Sequence, residues 1–176
     1  MSDSKLQIQA STKVAQLLEV YPELEDDLIR MAPPFKKLKN PILRRSIAKV
    51  ATLGQAAVVG RLDPLTMINQ LREIVGQEPL EALTPFSEEE YLGSFPSWFE
   101  DSCVAHSIDD RAGDSEEMAI TRVVKALTDL DERQVVELTT TFLPAPGIDA
   151  ARKKGLVTWT VREEEELYRT YFARSG

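Results

Sequence analysis

Apolar side chains in the first 76 residues recur at the three- and four-residue spacings of amphipathic helices. Helix-breaking or helix-capping signals separate these segments at Tyr21-Pro22, Pro33-Pro34, Asn40-Pro41, Gly60 and Asp63-Pro64. Thr52 and Asp63 are predicted to cap the helices that follow them. The pattern predicts a small bundle of short helices, with Ile42, Leu43 and Ile47 on the buried side of the helix after Asn40.

The periodicity stops at Gln77, and the next twenty residues scatter prolines and glycines among acids. A different periodicity, the two-residue alternation of strands, begins near Val104. The sequence therefore predicts a helical domain over residues 1–77, a linker over residues 78–97 and a second domain over residues 98–176.

The second half alternates strand-like and helix-like patterns. Val104, His106 and Ile108 alternate with small or polar residues, which predicts a strand with His106 on the same face as the two apolar residues. A helical stripe follows over residues 114–130, and further strands are predicted over residues 135–142, 156–161 and 167–172. A helix over residues 163–174 remains an alternative. The fold class is α+β: a small helical bundle followed by a two-layer α/β sandwich.

Composition indicates a globular chain outside the membrane. Hydrophobic residues make up 43% and charged residues 28%, and no apolar run approaches the roughly 20 residues of a membrane span. The first five residues lack a signal-peptide pattern, and the single cysteine, Cys103, has no partner for an internal disulfide. We therefore expect a cytoplasmic location and no membrane partner.

The net charge of −8 is unevenly distributed. Residues 28–62 hold eight of the 21 basic residues and none of the 29 acidic ones. The acidic total argues against a nucleic-acid partner, whereas the basic stretch would attract a protein or a small anionic ligand. The candidate binding residues are Phe35, Lys36, Lys37, Arg44 and Arg45. Alternatively, this stretch is a solvated face or docks on the acidic half, and the two prolines form a rigid turn that buries Phe35.

Candidate catalytic chemistry is sparse. Cys103 is a possible thiol nucleophile, but the preceding Glu100 and Asp101 disfavour a thiolate. One histidine and one cysteine do not make a conventional zinc site. A carboxylate site at Asp109, Asp110 and Asp114 is conceivable, although acids beside a helix start usually cap it. We expect no catalytic residue, no metal and no cofactor.

Residues 12–77 resemble domain-of-unknown-function family 1858. The matching residues are Leu17-Leu18, Tyr21-Pro22-Glu23-Leu24, Met31 to Leu38, Asn40-Pro41, Leu43-Arg44-Arg45, Ala48 to Leu53, Ala56-Ala57, Leu71-Arg72 and Val75-Gly76-Gln77. The resemblance implies a small helical domain. Some relatives carry a redox-active cysteine pair, but this segment has no cysteine, so that activity is not carried over.

Residues 104–174 resemble family 2249, which is similar to the TusA-like sulfur carriers. The matching features are Ile108-Asp109-Asp110-Arg111, the helix ending near Leu130, residues 135–142 with Pro144 and Pro146, and Gly155. The resemblance implies a two-layer sandwich. Sulfur carriers place Cys-Pro at the helix start, where this chain has Asp114-Ser115-Glu116, so we expect ordinary acidic capping there.

These observations favour a non-catalytic binding or regulatory protein that recognises a protein or a small anionic ligand. The alternative, implied by the resemblances, is a redox or sulfur-handling accessory protein of anaerobic or nitrogen-oxide metabolism.

Overall fold

A computed structural model describes residues 5–83 and 88–175, without the side chain of Leu43. The chain divides into two compact units between Ser87 and Glu88. The expected α+β class is confirmed, since helices and a four-stranded sheet are both present.

The first unit is helical. Its helices are α1 (Val14–Val20), α2 (Leu24–Met31), a 3₁₀ helix (Pro33–Lys39), α3 (Pro41–Val50), α4 (Leu53–Gly60) and α5 (Pro64–Ile74). The caps predicted at Thr52 and Asp63 both form. Thr52 and Gln55 form a reciprocal capping box at the start of α4, and the Asp63 carboxylate accepts a hydrogen bond from the Thr66 amide at 2.8 Å.

The 3₁₀ helix turns the chain between α2 and α3. Its side chains align every third residue, because a 3₁₀ helix has three residues per turn. Ala32, Phe35 and Leu38 are buried at this spacing, whereas Lys36 and Lys39 are exposed. The same short element therefore supplies core contacts and a pair of surface cations.

An extended N-terminal segment is held by Arg72 of α5 and by Gln77, which follows this helix; we call these contacts the clasp. The side-chain nitrogen Nε2 of Gln77 donates to the backbone carbonyl of Leu6 at 2.7 Å. The side-chain oxygen Oε1 of Gln77 accepts from the backbone amide of Ile8 at 3.0 Å. Buried Arg72 donates to the Ile8 carbonyl at 2.6 Å and to the Glu78 carbonyl at 2.5 Å. Ile8 is fully buried, so this clasp inserts the segment into the core of the unit.

The orientation predicted for α3 is wrong at Ile42. Its side chain is 50% exposed and Ile47 is half-buried, whereas Ala48 is buried. Residues five apart lie on different sides of a helix with 3.6 residues per turn, so Ile42 and Ile47 cannot share one face. The predicted position of the Leu43 side chain lies outside the described residues.

The second unit is a four-stranded sheet with two helices. In chain order it contains β1 (Val104–Asp109), α6 (Ala119–Leu127), β2 (Val135–Thr140), α7 (Ala145–Lys153), β3 (Leu156–Glu164) and β4 (Leu167–Arg174). The strand order is β1-β2-β4-β3; β1 and β2 are parallel, and β4 is antiparallel to both neighbours. The last segment is a strand, as predicted, and the helical alternative is wrong.

The two faces of this sheet have separate cores. On the inner face, Val136, Leu138 and Phe172 pack against Ile120, Val123 and Leu127 of α6 and Ala151 of α7. On the outer face, Val135, Trp159, Tyr171 and Ala173 pack with Phe99, Cys103 and Val104. Because each face has a core, the adjacent residues Val135 and Val136 of β2 point to opposite faces and are both fully buried.

Two predictions about β1 and α6 are wrong. A register shift between Val104 and His106 places Val104 with Val135 on the outer face and Ile108 with Leu138 on the inner face, so the three residues do not share one face. His106 is exposed. Helix α6 begins at Ala119, and no acidic residue caps it or lies in its first turn.

The predicted linker is divided between the units. Leu80 and Leu83 pack on the first core, and the Asn69 side chain bonds both backbone groups of Leu80. Tyr91 is buried in the second unit and donates to Asp149 at 2.8 Å. Of the residues between, 84–87 lie outside the described part.

Candidate functional site

The predicted basic surface of the first unit is carried by the 3₁₀ helix and α3, which pack against each other. Lys36 and Lys39 are exposed on the first of these elements, and Arg45 and Lys49 are exposed on the second. Lys37 is half-buried. Within the described ranges, Lys36, Lys39, Arg45 and Lys49 form no ion pair, so their charges face solvent.

Phe35 belongs to the core. It is 7% exposed, and its ring packs so closely on α4 that a methyl group at Gly60 would lie 3.0 Å from the Phe35 Cζ atom. Phe35 therefore agrees with the alternative interpretation, in which the two prolines form a rigid turn that buries this residue. It supports the surface from below and does not reach a partner in this conformation.

Arg44 is exposed but already paired. Its Nη1 atom lies 2.6 Å from a carboxylate oxygen of Glu25 on α2. Arg30, at the end of α2, lies 3.5 Å from Asp27. The Glu25 carboxylate partly neutralises the charge that Arg44 presents to a partner, so Arg44 is a weaker binding candidate than its neighbour Arg45, although such an exposed pair contributes only about 0–1 kcal/mol.

The exposed face of α3 combines charge with apolar surface. Ile42, Arg45 and Lys49 follow the i, i+3, i+7 spacing of one helix face, and Val50 at its end is 40% exposed. We define this set, Ile42, Arg45, Lys49 and Val50, as the α3 face. Sequence reasoning selected Arg45 but missed the other three, although a test of helical spacing would have separated Ile42 from Ile47.

Cys103 and His106 lie apart from this surface along the chain, in the second unit. Cys103 ends a single 3₁₀ turn, Asp101–Cys103, and is half-buried against the outer-face core. His106 is exposed on β1. The structure brings neither residue into a cluster with a nucleophile, a base or a metal ligand in the described ranges.

The acids at the end of β1 form ion pairs. Hydrogen bonds from Arg111 hold the pKa of Asp109 at about 2, well below the ordinary value of about 3.9, and Asp110 pairs with Arg122 of α6. Over residues 5–83 and 88–175, no three His, Cys, Asp or Glu residues are arranged to hold a metal ion. In the same ranges, no helix has the length and apolar character needed to cross a membrane.

Comparison with known proteins supports one of the two resemblances. Residues 8–68 match the family model described as "Domain of unknown function (DUF1858)", which confirms the resemblance of the N-terminal part. No curated protein and no solved structure matches the chain. The resemblance of the second half to the TusA-like family receives no support and stays a prediction. The helical segment from Ile8 to Ile68 is therefore similar to a family of unknown function, and that family's description assigns no activity to it.

Proposed function

We propose that this chain is a non-catalytic binding protein whose first unit recognises an acidic surface of a partner protein through the α3 face. The observation that supports this proposal is the exposure of Ile42 and Val50 beside Arg45 and Lys49 on one short helix. An exposed helix face of this kind is suited to docking on a complementary protein surface.

A protein surface explains the composition of the α3 face better than a small anion does. A small anion needs converging donors, and an exposed isoleucine contributes nothing to its binding. A protein interface, in contrast, combines apolar contacts with charged groups that steer association. The cations Lys36 and Lys39 on the adjoining 3₁₀ helix would add to the attraction of an acidic partner.

The test is capture of partners from a native lysate with three forms of the full chain. The first is the unchanged protein, the second is Arg45→Glu/Lys49→Glu, and the control is Arg133→Glu/Lys154→Glu, which makes the same charge change at exposed positions of the second unit. We expect the first and third forms to recover the same protein and the second to recover at least tenfold less. Equal recovery by all three would refute the proposal.

A titration with inorganic phosphate separates the small-anion alternative. We expect no saturable change in the amide resonances of α3 below millimolar phosphate, because exposed side chains without a cavity hold a small anion weakly. Saturation at micromolar phosphate would favour the small-anion alternative instead.

For the second unit, we propose a TusA-like sandwich without the sulfur-carrier chemistry. What supports this is the order of its elements, two parallel strands joined by α6 and then an antiparallel pair, together with the absence of cysteine from residues 104–176. A cytoplasmic location is part of the same proposal. If the redox or sulfur-handling alternative were correct, Cys103→Ser would abolish function; we expect it to leave partner recovery unchanged.

A further inference from the structure

The second unit exposes apolar side chains on one side of its sheet. Its three large exposed hydrophobic residues in the described part are Phe95 (45%), Trp98 (38%) and Val157 (42%). Val157 lies two residues before Trp159 on β3 and therefore points to the same outer face. Phe95 and Trp98 contact the buried rings of that face. We call Phe95, Trp98 and Val157 the aromatic surface.

The exposed rings are held by buried ones. Phe95 stacks on Phe99 with ring centres 4.8 Å apart and contacts the edge of Tyr171 at 5.3 Å. Trp98 meets Trp159 edge to face at 5.8 Å. Rings fixed in this way lose little conformational freedom on binding, which favours them as anchors of an interface.

The charge around the aromatic surface is negative. Glu100 and Asp101 are exposed and follow Phe99 directly. Residues 88–176 contain 19 acidic and 10 basic residues. Lysine and arginine bind to exposed indole rings through cation–π contacts, and nearby carboxylates strengthen this attraction.

A polar group beneath the surface also lacks a partner. The indole nitrogen of Trp159 is buried and has no hydrogen-bond acceptor among the described residues. A buried donor without an acceptor is unfavourable, so the ring packing beneath the aromatic surface is not fully satisfied at this nitrogen.

We infer that the aromatic surface is a docking site for a partner-protein segment in which lysine or arginine alternates with apolar residues. This site belongs to the second unit, whereas the α3 face belongs to the first, and the two have opposite charge preferences. The apolar side chains of the segment contact Phe95 and Val157, and a cation lies over the exposed Trp98 ring, attracted by the Glu100 and Asp101 carboxylates that follow it in the chain.

The two tryptophans allow a direct test in the full chain. The probe is a twelve-residue peptide of alternating leucine and lysine, compared with the same peptide carrying glutamate in place of lysine. The indole N–H resonances are recorded during titration and assigned with Trp98→Phe. We expect the lysine peptide to shift the Trp98 resonance saturably and the glutamate peptide to leave it in place.

A matched pair of variants locates the charge effect. Glu100→Gln/Asp101→Asn should weaken binding of the lysine peptide at least fivefold, whereas Asp131→Asn/Glu132→Gln, which neutralises two exposed acids before β2, should not. Equal effects of both variants, equal shifts by both peptides or no shift at all would overturn the inference. So would a Trp98 shift that depends on protein concentration alone, because the occupant would then be a second copy of this chain.

Discussion

At the residue scale, single positions in each unit depend on close contact or on burial. Gly60 lies at the end of α4, where the backbone approaches the 3₁₀ helix, and an added methyl group would lie 2.9 Å from the Ala32 Cβ atom. Tyr171 is buried on the outer face of the sheet, beside Glu137 on the neighbouring strand. The close contact at Gly60 and the burial of Tyr171 each predict how one substitution changes the free energy of unfolding.

Gly60→Ala should destabilise the first unit. The gain in helix propensity, up to about 1 kcal/mol, opposes an overpacking cost of about 1–3 kcal/mol because Ala32 and Phe35 are both core residues. We expect the free energy of unfolding, measured with urea and circular dichroism, to fall by about 1–2 kcal/mol. Gly147→Ala is the control, since its nearest contact would be an ordinary 3.6 Å from Ile120. An equal or larger loss in the control would contradict the account.

Tyr171 should make the second unit less stable at high pH. Burial, followed by the neighbouring carboxylate of Glu137, raises the pKa of Tyr171 to about 12, whereas an unfolded tyrosine has a pKa of about 10. The folded state therefore keeps a proton that the unfolded state loses, and the free energy of unfolding falls between these pH values. Equilibrium unfolding should show a shallower decline for Tyr171→Phe. If the free energy of unfolding of Tyr171→Phe declined as steeply as that of the unchanged chain, another group would account for the loss of stability at high pH.

At the element scale, signals within a few residues of each other predicted several helix ends correctly, although the acidic cap expected before α6 is absent and Ile42 of α3 is exposed. The caps at Thr52 and Asp63 and the end of α1 before Pro22 are local, and each appears as predicted. Effects that join distant residues were missed. The shift in β1 depends on pairing with β2, and the clasp joins Gln77 to Leu6 and Ile8 across most of the first unit. No spacing rule within one element reveals such contacts.

The clasp implies that the first unit requires residues beyond the family match, which ends at residue 68. We expect fragment 1–83 to unfold cooperatively and fragment 1–68, which lacks Arg72 and Gln77, to show no cooperative transition in circular dichroism. Cooperative unfolding of the shorter fragment would show that the clasp is dispensable.

A single substitution tests the same element within the full chain. Gln77→Ala leaves the Ile8 amide without its acceptor and removes one of two donors to the Leu6 carbonyl, which keeps its hydrogen bond from the Tyr21 hydroxyl. We expect the free energy of unfolding to fall by about 1–3 kcal/mol. Gln70→Ala, at an exposed position on α5, should change the free energy of unfolding by less than about 0.5 kcal/mol.

At the scale of the whole molecule, the candidate binding residues were only partly predictable. The charge pattern located the basic stretch, but it did not distinguish Arg44, which pairs with Glu25, from Arg45, which faces solvent. Nor did it reveal the aromatic surface, because Phe95 lies in the predicted linker over residues 78–97 and Trp98 directly follows it. Exposure depends on the assembled unit, and composition alone does not encode it.

The central claim is that the α3 face binds a protein surface, and Ile42→Ser tests it most directly because every charge is retained. Ile42 is half-exposed, so the substitution should change the free energy of unfolding by less than about 0.5 kcal/mol. The measurement is the amount of partner recovered from a native lysate by the variant and by the unchanged chain. We predict at least a fivefold loss for Ile42→Ser, in the same partner that Arg45→Glu/Lys49→Glu loses. Unchanged recovery with Ile42→Ser would contradict the account, because binding would then depend on charge alone.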